Sequence, residues 1–475
     1  VKIIILGAGQ VGSSVAESLV SEANDITVVD TDSERLALLQ DRFDLRTVTG
    51  NAASPSTLRQ AGAEDADMLI AVTQSDQTNL CACRIAKSLF NLPTRIARVR
   101  SADFIEYPEL LEEANFAVDF SICPEQIVTD YIVKLIEFPE ALQVLEFADG
   151  LVSLVAVRAF AGGPLVGHPL ADLRKHMPSA DARIAAVYRR DQPIIPHGDT
   201  VIEPGDEVFC LAATKNIRKV MRELRRMDKS VKRIMIAGGG NIGHRLVRAI
   251  ENDYQVKVID RNKQHAGWLA ENVRKALVLQ GDATDEKLLD EENVDQMDFF
   301  LALTNDDENN IMAALLAKRM GARRVAALIN RRTYAELLEG SQIDIAISPA
   351  QTSIGTLLAH VRRGDVAAVH SLRRGAAEAL ELVAHGDAQS SQVVGRRIEE
   401  LPVIEGATIA AIVRRLPRPE TVAIDNEVAE ERTHKVIIAH HDTVIQTDDH
   451  VIVFVVSKSL VPKVEKLFQV SVGFF

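Results

Sequence analysis

Two short runs of glycine carry the recognisable chemistry of this 475-residue chain. Gly7-Ala8-Gly9-Gln10-Val11-Gly12 near the start returns as Gly238-Gly239-Gly240-Asn241-Ile242-Gly243 in the second half. Each is a G-x-G-x-x-G run, and each is followed by an acid: Asp30 after the first, Asp260 after the second. Such a run binds rather than reacts. Gly7 and Gly238 permit a tight turn. Gly9 and Gly240 let backbone approach a pyrophosphate, and Gly12 and Gly243 let a helix pack closely on a strand. The helix then opens with unpaired N–H groups facing the phosphates. A carboxylate at the next strand end accepts hydrogen bonds from ribose hydroxyls and repels a 2′-phosphate, which favours NAD over NADP. Arg261, directly after Asp260, weakens that preference in the second copy.

The flanking pattern supplies the elements that must position these residues. Lys2-Ile3-Ile4-Ile5-Leu6 and Arg233-Ile234-Met235-Ile236-Ala237 read as parallel strands buried on both faces. Val11, Val15 and Leu19, and Ile242, Leu246 and Ile250, recur with helical spacing. Ile26–Asp30 and Val256–Asp260 read as second strands. Thr49-Gly50-Asn51 and Gln280-Gly281-Asp282 close a third, placing Asn51 and Asp282 at equivalent points. Asp67–Thr73 and Asp298–Thr304 read as a fourth, ending in Thr73 and Thr304. These threonines can reach a phosphate or ribose, or cap the following helix. Asp76 and Asn79 match Asp307 and Asn310, outside the carboxyl ends of the strands, where open α/β sheets bind ligands. The fifth strand differs between the copies. Arg98 and Arg100 in the first stand where Ala327 and Ile329 stand in the second. An arginine there offers a pyrophosphate a charge-assisted contact, or pairs with Asp76 or Glu125. The two sites therefore differ in affinity or in ligand.

A helix follows each six-strand unit, from Pro124 to about Phe138 and from Pro349 to about Arg363. A smaller β-rich segment comes next. In the first half its strands are expected at Gln143–Phe147, Ser153–Ala159, Ile184–Arg189 and Glu207–Ala212, divided by turns such as Gly162-Gly163-Pro164 and Glu203-Pro204-Gly205-Asp206. Gly395 matches Gly167, and Asp442-Thr443-Val444-Ile445 matches Asp199-Thr200-Val201-Ile202. An insertion near 416–435 separates those matches in the second half and, rich in Pro and charge, reads as an exposed loop. The expected fold is α/β: two tandem Rossmann-like parallel-sheet domains at 1–139 and 232–364, each followed by a small β-rich α+β domain, at 140–227 and 365–475.

A net charge of −13 argues against nucleic acid or anionic lipid as the main partner. One local run, Arg218 to Arg233, is strongly basic. It reads as a solvated helix face and linker, with docking on acidic loops or lipid headgroups as the alternative. The four cysteines are scattered. Cys81-x-Cys83 has neither zinc-knuckle nor redox spacing, and reduced, cytoplasmic thiols are expected. No apolar run approaches the length of a membrane span, and no signal peptide is expected, so the chain reads as soluble. A dehydrogenase needs a proton-transfer group and a substrate anchor beside the nicotinamide. No recurring His-Asp or Lys-Tyr arrangement supplies one. The late histidines (His360, His370, His385, His434, His440, His441 and His450) read as surface or turn residues. His440-His441 falls in an expected strand, and His441 is matched with His197. Neither catalytic residues nor metal ligands are expected, and nucleotide is bound but not transformed.

The K-I-I-I-L-G-A-G-Q-V-G start, Asp30, Ala71-Val72-Thr73-Gln74-Ser75-Asp76, the G-G-G-N-I-G repeat, Thr304-Asn305-Asp306-Asp307-Glu308-Asn309 and Glu203–Glu207 together resemble the RCK (KTN) regulators of potassium transport. The doubled large–small order is similar to the TrkA-type subunits of bacterial Trk uptake systems. That resemblance implies NAD or NADH bound through Gly7 to Val11, Asp30, Thr73, Gln74 and Arg98, with Asn305 at the place of Gln74 in the repeat. It implies ATP or ADP as further ligands and a homotetrameric ring. It also implies peripheral attachment at the cytoplasmic face of the inner membrane, through a membrane-embedded potassium channel subunit of the TrkH/TrkG kind. The implied role is a nucleotide-sensing regulator. An NAD-dependent oxidoreductase with duplicated domains and a scaffold with vestigial clefts are the rivals.

Overall fold

The computed structural model describes residues 1–20, 24–101, 104, 106–176, 181–190, 192–224, 230–338, 342–361, 366–372, 377–424 and 427–470. In chain order the first strands are β1 (Lys2–Leu6), β2 (Asp25–Asp30), β3 (Arg46–Thr49), β4 (Met68–Ala71), β5 (Thr94–Arg98) and β6 (Phe120–Ile122). Then come β7 (Ala141–Phe147), β8 (Val152–Arg158), β9 (Ala182–Arg189), β10 (Gln192–Ile194) and β11 (Glu207–Ala213). The pattern restarts with β12 (Arg233–Ala237), β13 (Gln255–Asp260), β14 (Leu277–Gln280), β15 (Phe299–Ala302), β16 (Val325–Leu328) and β17 (Ile345–Ile347). It closes with β18 (Val366–Leu372), β19 (Ala377–Ala384), β20 (Ala407–Ile424), β21 (Glu427–Ile438) and β22 (Asp449–Val455). The chain divides into two compact units: Val1–Asp130 with Arg233–Val361, and Tyr131–Lys232 with Arg362–Phe475.

The first unit holds two six-stranded parallel sheets of Rossmann-like order, β3-β2-β1-β4-β5-β6 and β14-β13-β12-β15-β16-β17. Continuous apolar runs make the central strands: Ile3 to Leu6 and Ile234 to Ala237 are all buried. The helix Gln10–Val20 covers the first sheet with Val11, Val15, Ala16 and Leu19. Asn241–Ile250 does the same with Leu246, Val247 and Ile250, while Ile242 stays half-buried. Strand order reverses between β1 and β4 and between β12 and β15, which opens a crevice at the carboxyl ends where each glycine run lies. The two lobes also hold each other. The helix Gln10–Val20 packs on the helix Pro349–Val361. Arg245 donates to Gln126 Oε1 at 3.0 Å and to the Arg100 carbonyl at 2.8 Å. His360 stacks on Phe120 with ring centroids 3.6 Å apart.

The second unit holds two five-stranded antiparallel sheets, β10-β9-β11-β8-β7 and β18-β19-β22-β20-β21. Their faces share one apolar core, in which Phe147, Phe209 and Phe454 are fully buried. The same device fixes one turn in each copy. Arg189 grips the buried Asp206 through Nε and Nη2 at 3.0 and 2.8 Å, and Arg414 grips the buried Asp449 at 2.8 and 2.7 Å. The Glu203-Pro204-Gly205-Asp206 turn is thus held from inside by its aspartate.

Several expectations for this unit need correction. The insertion near 416–435 is not a loop: β20 and β21 run through it as a long antiparallel hairpin. Pro417 and Pro419 lack the N–H that a ladder needs. The register accordingly shifts between Arg415 and Glu420 and then resumes, with Thr421 opposite Glu431. The short edge strand β10 escaped sequence reading because Pro193 lies within it. His440 and His441 follow β21 instead of lying in a strand, and His440, not His441, is the counterpart of His197. In each copy that histidine carbonyl accepts from a threonine N–H three residues on, Thr200 or Thr443. His370 and His450 lie in strands, not turns, and the His450 side chain remains 40% exposed. His450 Nδ1 meets Glu381 Oε1 at 2.5 Å, and His370 Nε2 lies 3.1 Å from the Glu146 carbonyl. The basic run begins in the helix Ile217–Leu224, and residues 225–229 lie outside the described ones.

Candidate nucleotide-binding cleft

The glycine runs behave as backbone chemistry requires. Gly7 has φ +106° and Gly238 φ +101°, conformations that side chains resist. A methyl on Gly12 would sit 1.8 Å from the Gly7 carbonyl oxygen, and one on Gly243 would sit 2.0 Å from that of Gly238. Among the described residues, a methyl on Gly9 or Gly240 would meet no atom within 4 Å. The outer glycines thus serve the fold, and the middle one leaves space in front of the helix N-terminus.

Both runs face one continuous cleft of about 1680 Å³. From the first lobe it is lined by Gly7, Ala8, Gly9, Gln10 and Val11, and by Asp30, Asn51, Thr73, Gln74 and Arg98. From the second come Gly238, Gly240, Asn241 and Ile242, and Asp260, Asp282, Thr304 and Asn305. Four anticipated residues do not line it. Gly12 and Gly243 are buried beneath the turn, and Gly239 is held where a methyl would strike Leu269 at 2.6 Å. Arg100 turns away, its guanidinium engaged by the Gln74 carbonyl and, at 3.6 Å, by Asp76. Two separate clefts were expected, and their merging depends on how the lobes pack.

Other expected ligand residues are structural. Asp76 is buried and accepts from the N–H groups of Arg100 and Ser101 at 2.9 and 2.8 Å. Asp307 does the same for Asn330 and Arg331. Asn79, fully buried, accepts from Thr73 N at 2.9 Å and Thr73 Oγ1 at 2.7 Å, and donates to the Arg98 carbonyl at 2.9 Å. Asn310 repeats this with Thr304 and Leu328. Each asparagine ties the ends of two neighbouring strands together. The threonine hydroxyl protons are thereby spent, so Thr73 and Thr304 can accept from a ligand but not donate to a phosphate. Nor do they cap the next helix; Ser75 and Asp306 do that.

Arg98 ends β5 and pairs with Glu125, Nη2 to Oε1 at 2.7 Å, both largely buried. Its Nε is buried with no hydrogen-bond partner among the described residues. Asp30 receives the Ala8 N–H on Oδ2 at 2.6 Å and the Asp32 N–H on Oδ1 at 2.9 Å, which aims its remaining lone pairs at the cleft. Asn51 folds onto the Ala53 N–H at 2.9 Å. Its counterpart Asp282 accepts from Thr284 N at 2.9 Å and Oγ1 at 2.7 Å, which holds its carboxyl below the usual range.

Sequence reading missed His265 and Trp268. His265 lines the cleft with Nδ1 2.8 Å from Asp260 Oδ2, and Trp268 stacks on its ring. A histidine in the first turn of the helix after a strand-end acid was the available signal. Among the described residues no helix is long and apolar enough to cross a membrane, and no cluster of potential ligands could hold a metal ion.

Relatives agree with this architecture. The TrkA-N domain family matches residues 3–119 and again 234–349, and the TrkA-C domain family matches 154–225. The Trk system potassium uptake protein TrkA of Halomonas elongata is 54% identical over the whole of both chains. That of Vibrio alginolyticus is 54% identical over 99% of each. The solved GsuK channel bound to NAD aligns with 98% of this chain and 78% of its own, at 18% identity and a TM-score of 0.59. At that identity the likeness is one of fold alone. The doubled TrkA-N pattern and the full-length identity lead to one conclusion: this chain belongs to the TrkA family of Trk system potassium uptake proteins.

Proposed function

We propose that the chain is a nucleotide-sensing regulatory subunit, which gates a membrane-embedded potassium uptake subunit of the TrkH/TrkG kind by binding NAD or NADH and ATP or ADP. The observation that carries this reading is the shared cleft. Both glycine runs line one cavity, with Arg98, Asp30 and a helix N-terminus on the first side. A ligand held there touches both lobes, so the arrangement that grips it better becomes more populated. A ligand shifts such an equilibrium only by its differential affinity for the two arrangements. An adenine dinucleotide and a triphosphate differ in length and charge and would favour different separations. The GsuK channel, a fold neighbour, binds NAD. In a homotetrameric ring beneath the membrane, four such movements would act on one pore.

The test is potassium uptake by cells lacking this protein, complemented with wild type, Gly9→Ala or Asp30→Ala. The proposal expects normal protein levels but loss of nucleotide-dependent regulation in both variants. Regulation unchanged in both would leave the cleft without a sensing role.

A further inference from the structure

We infer that His265 sets nucleotide selectivity in the second half of the cleft by occupying the carboxylate that would otherwise read a ribose diol. The inference rests on the nucleotide-binding reading above and concerns how the two halves differ.

A carboxylate offers about four lone-pair sites on its two oxygens. On Asp30 the protein uses one on each oxygen, for the N–H groups of Ala8 and Asp32. One site per oxygen remains, the arrangement two adjacent ribose hydroxyls need. On Asp260 the matching donors are Gly239 N at 3.1 Å and Asn262 N at 2.9 Å. His265 Nδ1 adds a third at 2.8 Å, on the same Oδ2 as Gly239. A carboxylate only accepts, so Nδ1 carries the proton. Oδ2 is thereby saturated, and Asp260 can take one hydroxyl, not two.

Among the described residues the first lobe has no such competitor. At the place of His265 stands Arg35, whose Nε turns to Asp32 at 3.1 Å. The imidazole is also braced. Trp268 stacks on it with centroids 5.6 Å apart and an 18° interplanar angle, and the same indole meets His244 edge-on at 4.9 Å. At the place of Trp268 the first lobe has Leu38, which is exposed. A braced donor resists displacement by a ligand hydroxyl. The second half-site therefore reads adenine nucleotides through their phosphates, at the helix opening with Asn241, and is indifferent to the ribose diol.

The full chain is titrated calorimetrically with NADH, then with ADP and 2′-deoxy-ADP. Wild type is expected to show one strong NADH site per chain, abolished by Gly9→Ala. His265→Ala frees the lone pair and gains a second NADH site, tightened about tenfold or more, the scale of one hydrogen bond to a charged group. Misfolding cannot produce that gain. Without touching His265, Gly9→Ala protein should bind ADP and 2′-deoxy-ADP within about threefold of each other, whereas Gly240→Ala protein should lose about tenfold on deoxygenation. One NADH site in both wild type and His265→Ala overturns this inference alone, as does a tenfold deoxy penalty in Gly9→Ala protein. No binding of any nucleotide by wild type or His265→Ala overturns the nucleotide-binding reading as well.

Discussion

Two alanine substitutions three residues apart should have opposite consequences. A methyl at position 12 would lie 1.8 Å from the Gly7 carbonyl oxygen, against an ordinary contact beyond 3 Å. Backbone lies on both sides, so the helix must move by more than an ångström from the strand it covers. Overpacking of this kind costs about 1–3 kcal/mol and more when the obstacle is rigid. We expect Gly12→Ala to lose about 3 kcal/mol or more. For a unit of this size that lowers the midpoint of thermal unfolding by roughly 6–12 °C. A methyl at position 9 meets none of the described residues within 4 Å, and Gly9 directly precedes the helix. Its stability cost is that of a poorer helix cap, about 0.5–1 kcal/mol. It fills the space that a pyrophosphate would occupy, so binding should fall at least about a hundredfold while the fold survives. The assay is scanning calorimetry of both variants beside NADH titration of Gly9→Ala. An unchanged midpoint in Gly12→Ala, or equal destabilisation of both variants, would refute the division of labour among the glycines.

Further predictions concern the supports of the cleft and the second unit. Asn79→Ala strands buried donors and acceptors at the ends of β4 and β5 and should cost about 3 kcal/mol, read by urea unfolding, with nucleotide affinity falling in parallel. Asp206→Ala leaves the Arg189 guanidinium without its buried partner; a loss of about 3 kcal/mol is expected, and Asp449→Ala should match it. Two histidines give opposed pH dependences. The Glu381 carboxylate raises the His450 imidazole above its ordinary value of 6.5, so its stabilisation is complete below 6.5 and fades as pH rises through the raised value. Burial lowers the His370 imidazole below 6.5, so stability falls as pH drops from 6.5 through the lowered value. Unfolding midpoints should show His450→Gln losing most on the acid side, and His370→Gln losing sensitivity to acid.

The parts of this molecule legible from sequence are those that backbone geometry dictates locally. A tight turn demands Gly7, a close helix–strand contact demands Gly12, and a buried parallel strand demands an unbroken run such as Ile3-Ile4-Ile5-Leu6. Asp30 and Asp260 were legible because strand ends are. Partners distant in the chain were not. Arg98 was placed at the cleft, but its pairing with Glu125 over Asp76 depends on how the helix Pro124–Glu137 enters the sheet. Asn79 looked like a ligand residue, since an asparagine that ties two strand ends and one that binds a nucleotide occupy the same place in sequence. The hairpin of β20 and β21 was hidden by Pro417 and Pro419, which usually signal a loop but here only interrupt a ladder. His265 was hidden because its meaning depends on which lone pairs of Asp260 are already used.

The central claim is that this cleft distinguishes nucleotides. Its most direct test is calorimetric titration of the purified full chain with NAD, NADH, ADP and ATP, each repeated on Gly9→Ala. At least two of the four are expected to differ in affinity by about tenfold or more, equivalent to about 1.4 kcal/mol of discrimination, and Gly9→Ala is expected to remove the tight NADH binding. Equal affinities for all four, or tight NADH binding that survives Gly9→Ala, would contradict it.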